Sequence, residues 1–174
     1  MDRFCKYLFC LLAVLIFSGC IEDEVEPGSG LQPGDELPEF VITSGDGLAA
    51  RKSDLIGKVS LLVFFNTGCP DCREELPIIQ QIYDEYSANQ DFYILCIATS
   101  ADDEVEKYWK ENRLNVPYVI PSDNSLVEAL GLKTIPHVYV SDKSATIRYV
   151  YGDSPIASFE NLSEAIGSLL CLKQ

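Results

Sequence analysis

The sequence predicts an α/β domain with a central sheet, and three features of the chain carry that expectation. The run 59–65 is continuously apolar, as a strand buried on both faces requires, and a helical repeat follows it at once. A second apolar run, 92–98, is followed by an amphipathic helical stretch, so strand and helix alternate. Near the end that alternation breaks: 137–141 and 147–151 read as a hairpin joined at Asp142-Lys143-Ser144-Ala145, with a closing helix from about 156 to 172.

Taken in order, residues 39–43 fit a short strand ended by the turn Ser44-Gly45-Asp46-Gly47. Beyond the run 59–65, Leu76, Ile79, Ile82, Tyr83 and Tyr86 recur at helical spacing. Pro70 suits the first turn of that helix, where its missing N–H leaves no helical bond unmade. The strand 92–98 leads to a helix over about 103–112, an extended piece at 117–120 and a short helix at 126–130. No internal repeat and no glycine-rich phosphate loop occurs.

Composition narrows the function. With 47% hydrophobic and 23% charged residues, the chain has the apolar material to build a core. Thirteen basic against 27 acidic residues give a net charge of −14, a field that repels nucleic-acid phosphates. No nucleic-acid partner is expected.

The start of the chain has another character. Arg3 and Lys6 precede an apolar run, 7–17, that is short for a membrane-spanning helix, which is the pattern of an export signal. Phe17-Ser18-Gly19-Cys20 resembles a bacterial lipoprotein signal, although that pattern prefers an aliphatic residue where Phe17 stands. The resemblance implies removal of 1–19 and a lipid on Cys20; an ordinary signal cut elsewhere, or an uncut anchor, is the alternative. Residues 20–36, acidic and rich in Gly and Pro, read as a flexible tether, and 37–174 as the folded domain. The expected location is extracytoplasmic, anchored by lipid to a bacterial membrane, with the periplasmic face favoured over the cell surface.

Seven cysteines divide accordingly. Cys5 and Cys10 lie in the signal, and Cys20 is taken by the lipid. Cys96 and Cys171 lie in apolar runs, where buried inert thiols are expected. Cys69 and Cys72 remain, in Cys69-Pro70-Asp71-Cys72, where the buried strand gives way to the helix. The first sulfur then sits at a helix N-terminus, an environment that favours the nucleophilic thiolate. The second, one turn further on, is shielded yet close enough to resolve a mixed disulfide. The rival reading, half a zinc site, lacks a second CxxC or HxxxH to complete four ligands, so no metal or cofactor is expected.

The block 61–77, LLVFFNTGCPDCREELP, resembles the active-site block of the TlpA/ResA-like membrane-tethered thioredoxins. Asp54-Leu55-Ile56-Gly57-Lys58 resembles that family's entry to the strand, and Thr134-Ile135-Pro136 its loop with a cis-proline facing the dithiol. The likeness runs from 31 to the C-terminus. It implies a thioredoxin-like fold, a central mixed β-sheet flanked by helices, with an inserted βα element in 102–117. It also implies a monomeric thiol-disulfide oxidoreductase that reduces disulfide-containing client proteins and is recharged by a membrane or soluble thiol donor. Ile135 and Pro136 would receive substrate as an added strand; a trans proline at a strand entrance is the alternative.

Several positions depart from the pattern. Val63 stands where thioredoxin has a buried Asp, which leaves Glu75, one turn after Cys72, as the candidate to accept or relay the Cys72 proton, with its carboxyl raised through burial. Glu74 and Glu75 could equally form a solvated charge pair. Gly68 replaces the usual aromatic residue before the first cysteine and should open the site, and Asp71 should oppose thiolate formation and make the couple more reducing. His137 directly follows Pro136, which places it near the dithiol on the chain: it either packs or hydrogen-bonds at the strand start and at most tunes the thiols, or Cys69, Cys72 and His137 hold copper(I) as Sco-like chaperones do, although the spacing there is CxxxC. A peroxiredoxin-like peroxidase is disfavoured because Leu62 and Asn66 occupy the positions of that family's Pro and Ser/Thr. Nothing at nucleophile spacing supports a hydrolase. Trp109 and its neighbouring tyrosines read as packing residues.

Overall fold

The computed structural model describes residues 30–99, apart from 46 and 48, and 104–172. The export signal, Cys5, Cys10, Cys20 and the first part of the tether lie outside the described residues. So does residue 103, the expected first residue of the second long helix. Among the described residues no helix is long and apolar enough to cross a membrane.

Two short strands, β1 (Val41–Thr43) and β2 (Ala49–Arg51), pair antiparallel and lead through a 3-10 turn (Lys52–Asp54) to the main sheet. That sheet is built from β3 (Val59–Phe65), β4 (Phe92–Ala98), β5 (Tyr118–Val119), β6 (His137–Ser141) and β7 (Ile147–Tyr151). Its strand order is β5-β4-β3-β6-β7, with β3, β4 and β5 parallel and β6 and β7 antiparallel to their neighbours. The helices are α1 (Pro70–Tyr86), α2 (Glu104–Asn112), α3 (Ser125–Ala129) and α4 (Phe159–Cys171). This is a thioredoxin-like α/β fold with a mixed sheet.

Alternation along β3 divides the core in two. Val59, Leu61, Val63 and Phe65 meet Cys72, Leu76, Ile79 and Ile82 of α1 and Leu162, Ile166 and Leu169 of α4. Leu62 and Phe64 turn to the other face, against Leu37, Leu55 and Tyr139.

The strands 59–65, 92–98, 137–141 and 147–151 fall where the apolar pattern puts them. Elsewhere local chemistry moves the boundaries. Helix α4 starts at Phe159 rather than near 156, because the Ser158 side chain accepts the Asn161 N–H (3.2 Å) and caps it there. A second cis proline, at Ser154–Pro155, lies just upstream. Strand β2 escaped the sequence reading, being only Ala49–Arg51. The inserted element has its helix first, α2, and its strand second, at 118–119 and therefore just past the segment 102–117.

The largest difference concerns residues 30–36, which composition assigned to the tether. They are docked on the domain. Ile147 N donates to Asp35 O (2.8 Å), Gly34 N to Ile147 O (2.8 Å) and Leu37 N to Ala145 O (3.0 Å), so this segment covers the outer edge at the start of β7. Leu31 N donates to the Tyr139 hydroxyl (3.0 Å), and Lys52 Nζ bridges Glu36 (2.6 Å) and Glu39 (3.3 Å). The acidic residues that made the stretch look like a solvated spacer are partly engaged by one lysine. Composition cannot report backbone pairing with a distant strand.

Leu37, 1% exposed, anchors this segment in the second core. Leu37→Ala is expected to lower unfolding free energy by about 2–5 kcal/mol in urea titrations; a loss below about 1 kcal/mol would show that the segment is peripheral to the fold.

Candidate active site

Strand β3 ends at Phe65, and the loop Asn66-Thr67-Gly68 delivers Cys69 to the N-cap of α1 in an extended conformation (φ −83°, ψ 125°). The loop is held from within. Asn66 Oδ1 accepts Gly68 N–H (2.7 Å), and Cys69 N donates to Asn66 O (3.0 Å). A side chain at position 68 would bring its Cβ to 3.1 Å from Asn66 Oδ1, so glycine keeps this turn open.

Both thiols are free, Cys69 partly exposed and Cys72 buried. The Ile135–Pro136 bond is cis, and Cys69 Sγ donates to Ile135 O (3.7 Å) across the cleft. The loop that bears Ile135 and Pro136 therefore does face the first sulfur. Cys72 Sγ accepts Asn66 N–H (3.5 Å). Burial pushes the Cys72 thiol up to about 12, with neighbouring Cys69 and Glu75 acting in the same direction against the Asn66 N–H.

Glu74 is exposed and Glu75 is 1% exposed, so the two do not form a solvated pair. Glu75 Oε1 accepts Ala157 N–H (3.1 Å), while Oε2 is buried with no hydrogen-bond partner among the described residues. Burial raises its carboxyl to about 7, despite the Ala157 N–H that favours the anion. A buried carboxyl that titrates near neutrality, one turn from a buried thiol and acting on it electrostatically, can hold or release a proton at the place where Cys72 must lose one.

His137 lies elsewhere. Side chains alternate along β6, and Val138 faces the α1 side while His137 stacks on Tyr139 (ring centroids 4.7 Å apart), whose packing belongs to the opposite face. Among the described residues neither ring nitrogen has a hydrogen-bond partner, and burial lowers its proton affinity. The sheet thus separates His137 from Cys72, and Cys69, Cys72 and His137 do not form one ligand set. Among the described residues no three His, Cys, Asp or Glu side chains are grouped to hold a metal ion.

The two remaining cysteines part company. Cys96 is fully buried opposite Val63 in the β3/β4 register, and burial raises its thiol strongly. Cys171 is exposed, contrary to the sequence expectation, because the buried stripe of α4 is Leu162, Ala165, Ile166 and Leu169. Trp109 packs between Phe65 and Tyr118 and donates from Nε1 to Val116 O (2.9 Å), as a core residue does.

Sequence reasoning missed Ala157 and Arg73. Nothing in the chain marks Ala157, whose contribution is a backbone N–H. Arg73 did leave a trace in Pro77, inside α1: that proline has no N–H to give the Arg73 carbonyl four residues back, and Tyr108 of α2 donates its hydroxyl to it instead (3.5 Å).

A thioredoxin-like fold with a partly exposed thiol at a helix N-cap and a buried one a turn later defines a thiol-disulfide oxidoreductase. The chain belongs to the Redoxin family, whose profile matches residues 32–166. It is 26% identical over 147 residues to the thiol-disulfide oxidoreductase ResA of Bacillus anthracis, covering 82% of this chain and 85% of that one. Its structure resembles a thiol:disulfide interchange protein of the thioredoxin family from Chlorobium tepidum (TM-score 0.67, 25% identity, 80% of this chain and 98% of that one). A secreted thiol-disulfide isomerase from Corynebacterium glutamicum shares the fold at 21% identity (TM-score 0.67, 77% of this chain and 84% of that one).

Because folded Glu75 holds its proton up to about pH 7 against an ordinary 4.5, its contribution to stability is complete below about pH 4.5 and is lost as pH rises through 7. Glu75→Gln, which keeps the oxygen facing Ala157, removes that loss. Its stability relative to the parent should rise by about 2–3 kcal/mol between pH 5 and pH 8. Urea titrations under reducing conditions test this, and a difference that does not change with pH would refute it.

Proposed function

We propose that this protein is an extracytoplasmic reductant of disulfides in client proteins, tethered to a bacterial membrane by a lipid on Cys20. The observation that carries the proposal is the pairing of a partly exposed Cys69 thiol, set against the Ile135 carbonyl, with a Cys72 thiol sealed in the core. A client chain laid along Ile135 and Pro136 in extended form would present its disulfide to Cys69.

Cys69, as thiolate, attacks one client sulfur; a new S–S bond forms and the client's second sulfur leaves as thiolate, to be protonated. Cys72 loses its proton to Glu75 and attacks Cys69 Sγ. This releases the client's first sulfur and leaves a Cys69–Cys72 disulfide. Two electrons have passed to the client, and a membrane or soluble dithiol donor restores the pair. The raised Cys72 thiol supports the reducing direction, since strongly oxidising couples owe their potential to a stabilised thiolate form. The signal-like residues 1–19 and Cys20 support the location.

Equilibration in thiol buffers should give a reversible two-electron couple at about −270 mV, in the range of thioredoxin. Cys69→Ala should abolish exchange, and Cys72→Ser should accumulate a mixed disulfide at Cys69. A potential near −120 mV, the range of strong periplasmic oxidants, would reverse the proposed direction.

A further inference from the structure

Beside the dithiol, between the start of α1 and the inserted helix α2, is a cavity of about 160 Å³ lined by Thr67, Arg73, Glu104, Lys107, Tyr108 and Glu111. We infer that this cavity is a recognition subsite for an acidic side chain of the client, flanking the cysteine that Cys69 attacks; the inference rests on the disulfide exchange proposed above.

Its place in the site follows from the backbone. Thr67 is two residues before Cys69, and Arg73 N donates to Cys69 O (3.1 Å) in the first turn of α1. These links place the cavity beside the Cys69 backbone, where the residues flanking a client's reacting cysteine would pass.

The Arg73 guanidinium is fixed on two sides. Its Nε donates to Thr67 O, and it lies over the Tyr108 ring, 5.9 Å from the centroid. Tyr108 is itself tied to α1 through the carbonyl that Pro77 leaves without a helical donor. With Nε engaged, the terminal nitrogens present the fork that matches a carboxylate.

Among the described residues neither Arg73 nor Lys107 has a carboxylate within ion-pair distance. Two cations with no carboxylate partner among the described residues, facing one cavity, stand out in a chain of net charge −14. Thr67 adds an independent sign: it is 1% exposed, and among the described residues its hydroxyl has no hydrogen-bond partner. A buried hydroxyl left unpaired is unfavourable, and a polar ligand group entering beside it would relieve that. Glu104 and Glu111, on α2, bring the formal charge of the lining to zero, so an anion is held here only by direct contact with the guanidinium and ammonium groups, against the field of a chain of net charge −14.

The test uses three disulfide peptides that differ only in the residue next to the reactive cysteine: Glu, Gln or Lys. The parent protein should reduce the Glu peptide about threefold to fivefold faster than the Gln peptide at low salt, the scale of an exposed ion pair, and the advantage should shrink at 1 M salt. In Arg73→Gln/Lys107→Gln the Glu-to-Gln ratio should fall to about one. The ratio is independent of any change in the reactivity of the dithiol itself. Equal rates for Glu and Gln, faster reduction of the Lys peptide, or a Glu preference that survives the double substitution would overturn the inference. A Glu peptide with Ser in place of both cysteines separates this inference from the activity: it should shift the amide resonances of Thr67 and Arg73 more than its Gln counterpart does. That result without any peptide reduction would count against the exchange reaction and leave the subsite standing, whereas reduction without discrimination would do the reverse.

Discussion

Strand β3 is buried along its whole length, and the position of every group in the site depends on its C-terminal end. Its seven residues pair with β4 on one side and, through Ser60 to Phe64, with β6 on the other, so the strand cannot shift along its axis without breaking both ladders. The loop that follows is short and internally bonded, so the first cysteine is delivered to the helix start with little freedom. The same ladder places β6, and with it the Ile135–Pro136 loop, opposite that cysteine. Reactivity at Cys69 is thus set by two strands that contain no reactive residue.

What lies one turn into α1 follows from the helix period. Cys72, Glu75, Leu76 and Ile79 share the inward face, and Glu75 is the one ionisable carboxyl on it. A carboxyl in that position is shielded from bulk solvent and accepts one backbone N–H. It therefore remains protonated into the neutral range, and its ionisation is coupled to that of the neighbouring thiol. Position 63, opposite Cys96 on the adjacent strands, is apolar. The buried carboxyl whose charge acts on Cys72 comes from the helix here and not from the sheet.

The main sheet and the dithiol were legible in the sequence because both depend on local pattern. Continuous apolar runs such as 59–65 and 92–98 identify buried strands, and two cysteines three apart after such a run identify a helix-start redox pair. Glu75 was legible as a position, with burial expected to raise its carboxyl, but a solvated pair with Glu74 stayed open because its spacing from Cys72 says nothing of whether Ala157 will cover it. The docking of residues 30–36 was illegible for a related reason: what holds them is mostly main-chain pairing with residues 145–147, and acidic side chains obscured it. His137 misled because nearness in sequence to Pro136 was read as nearness in space to the thiols, whereas strand alternation sends adjacent residues to opposite faces. Cys171 misled because an apolar run at a helix end does not say which of its residues faces out.

Pro77 shows how one residue in a helix can tie an insertion to a catalytic element. A proline inside α1 removes a helical hydrogen bond, a defect that an isolated helix meets by kinking. Here the freed carbonyl belongs to Arg73 and takes a hydroxyl from Tyr108, so the defect becomes the contact between α1 and the inserted α2. The same tyrosine then presents its ring to the Arg73 guanidinium. The backbone and the side chain of one arginine, next in sequence to Cys72, are therefore both in contact with the insertion. A surface assembled in this way can change with the inserted segment while the strand, the dithiol and the cis-proline loop stay as they are.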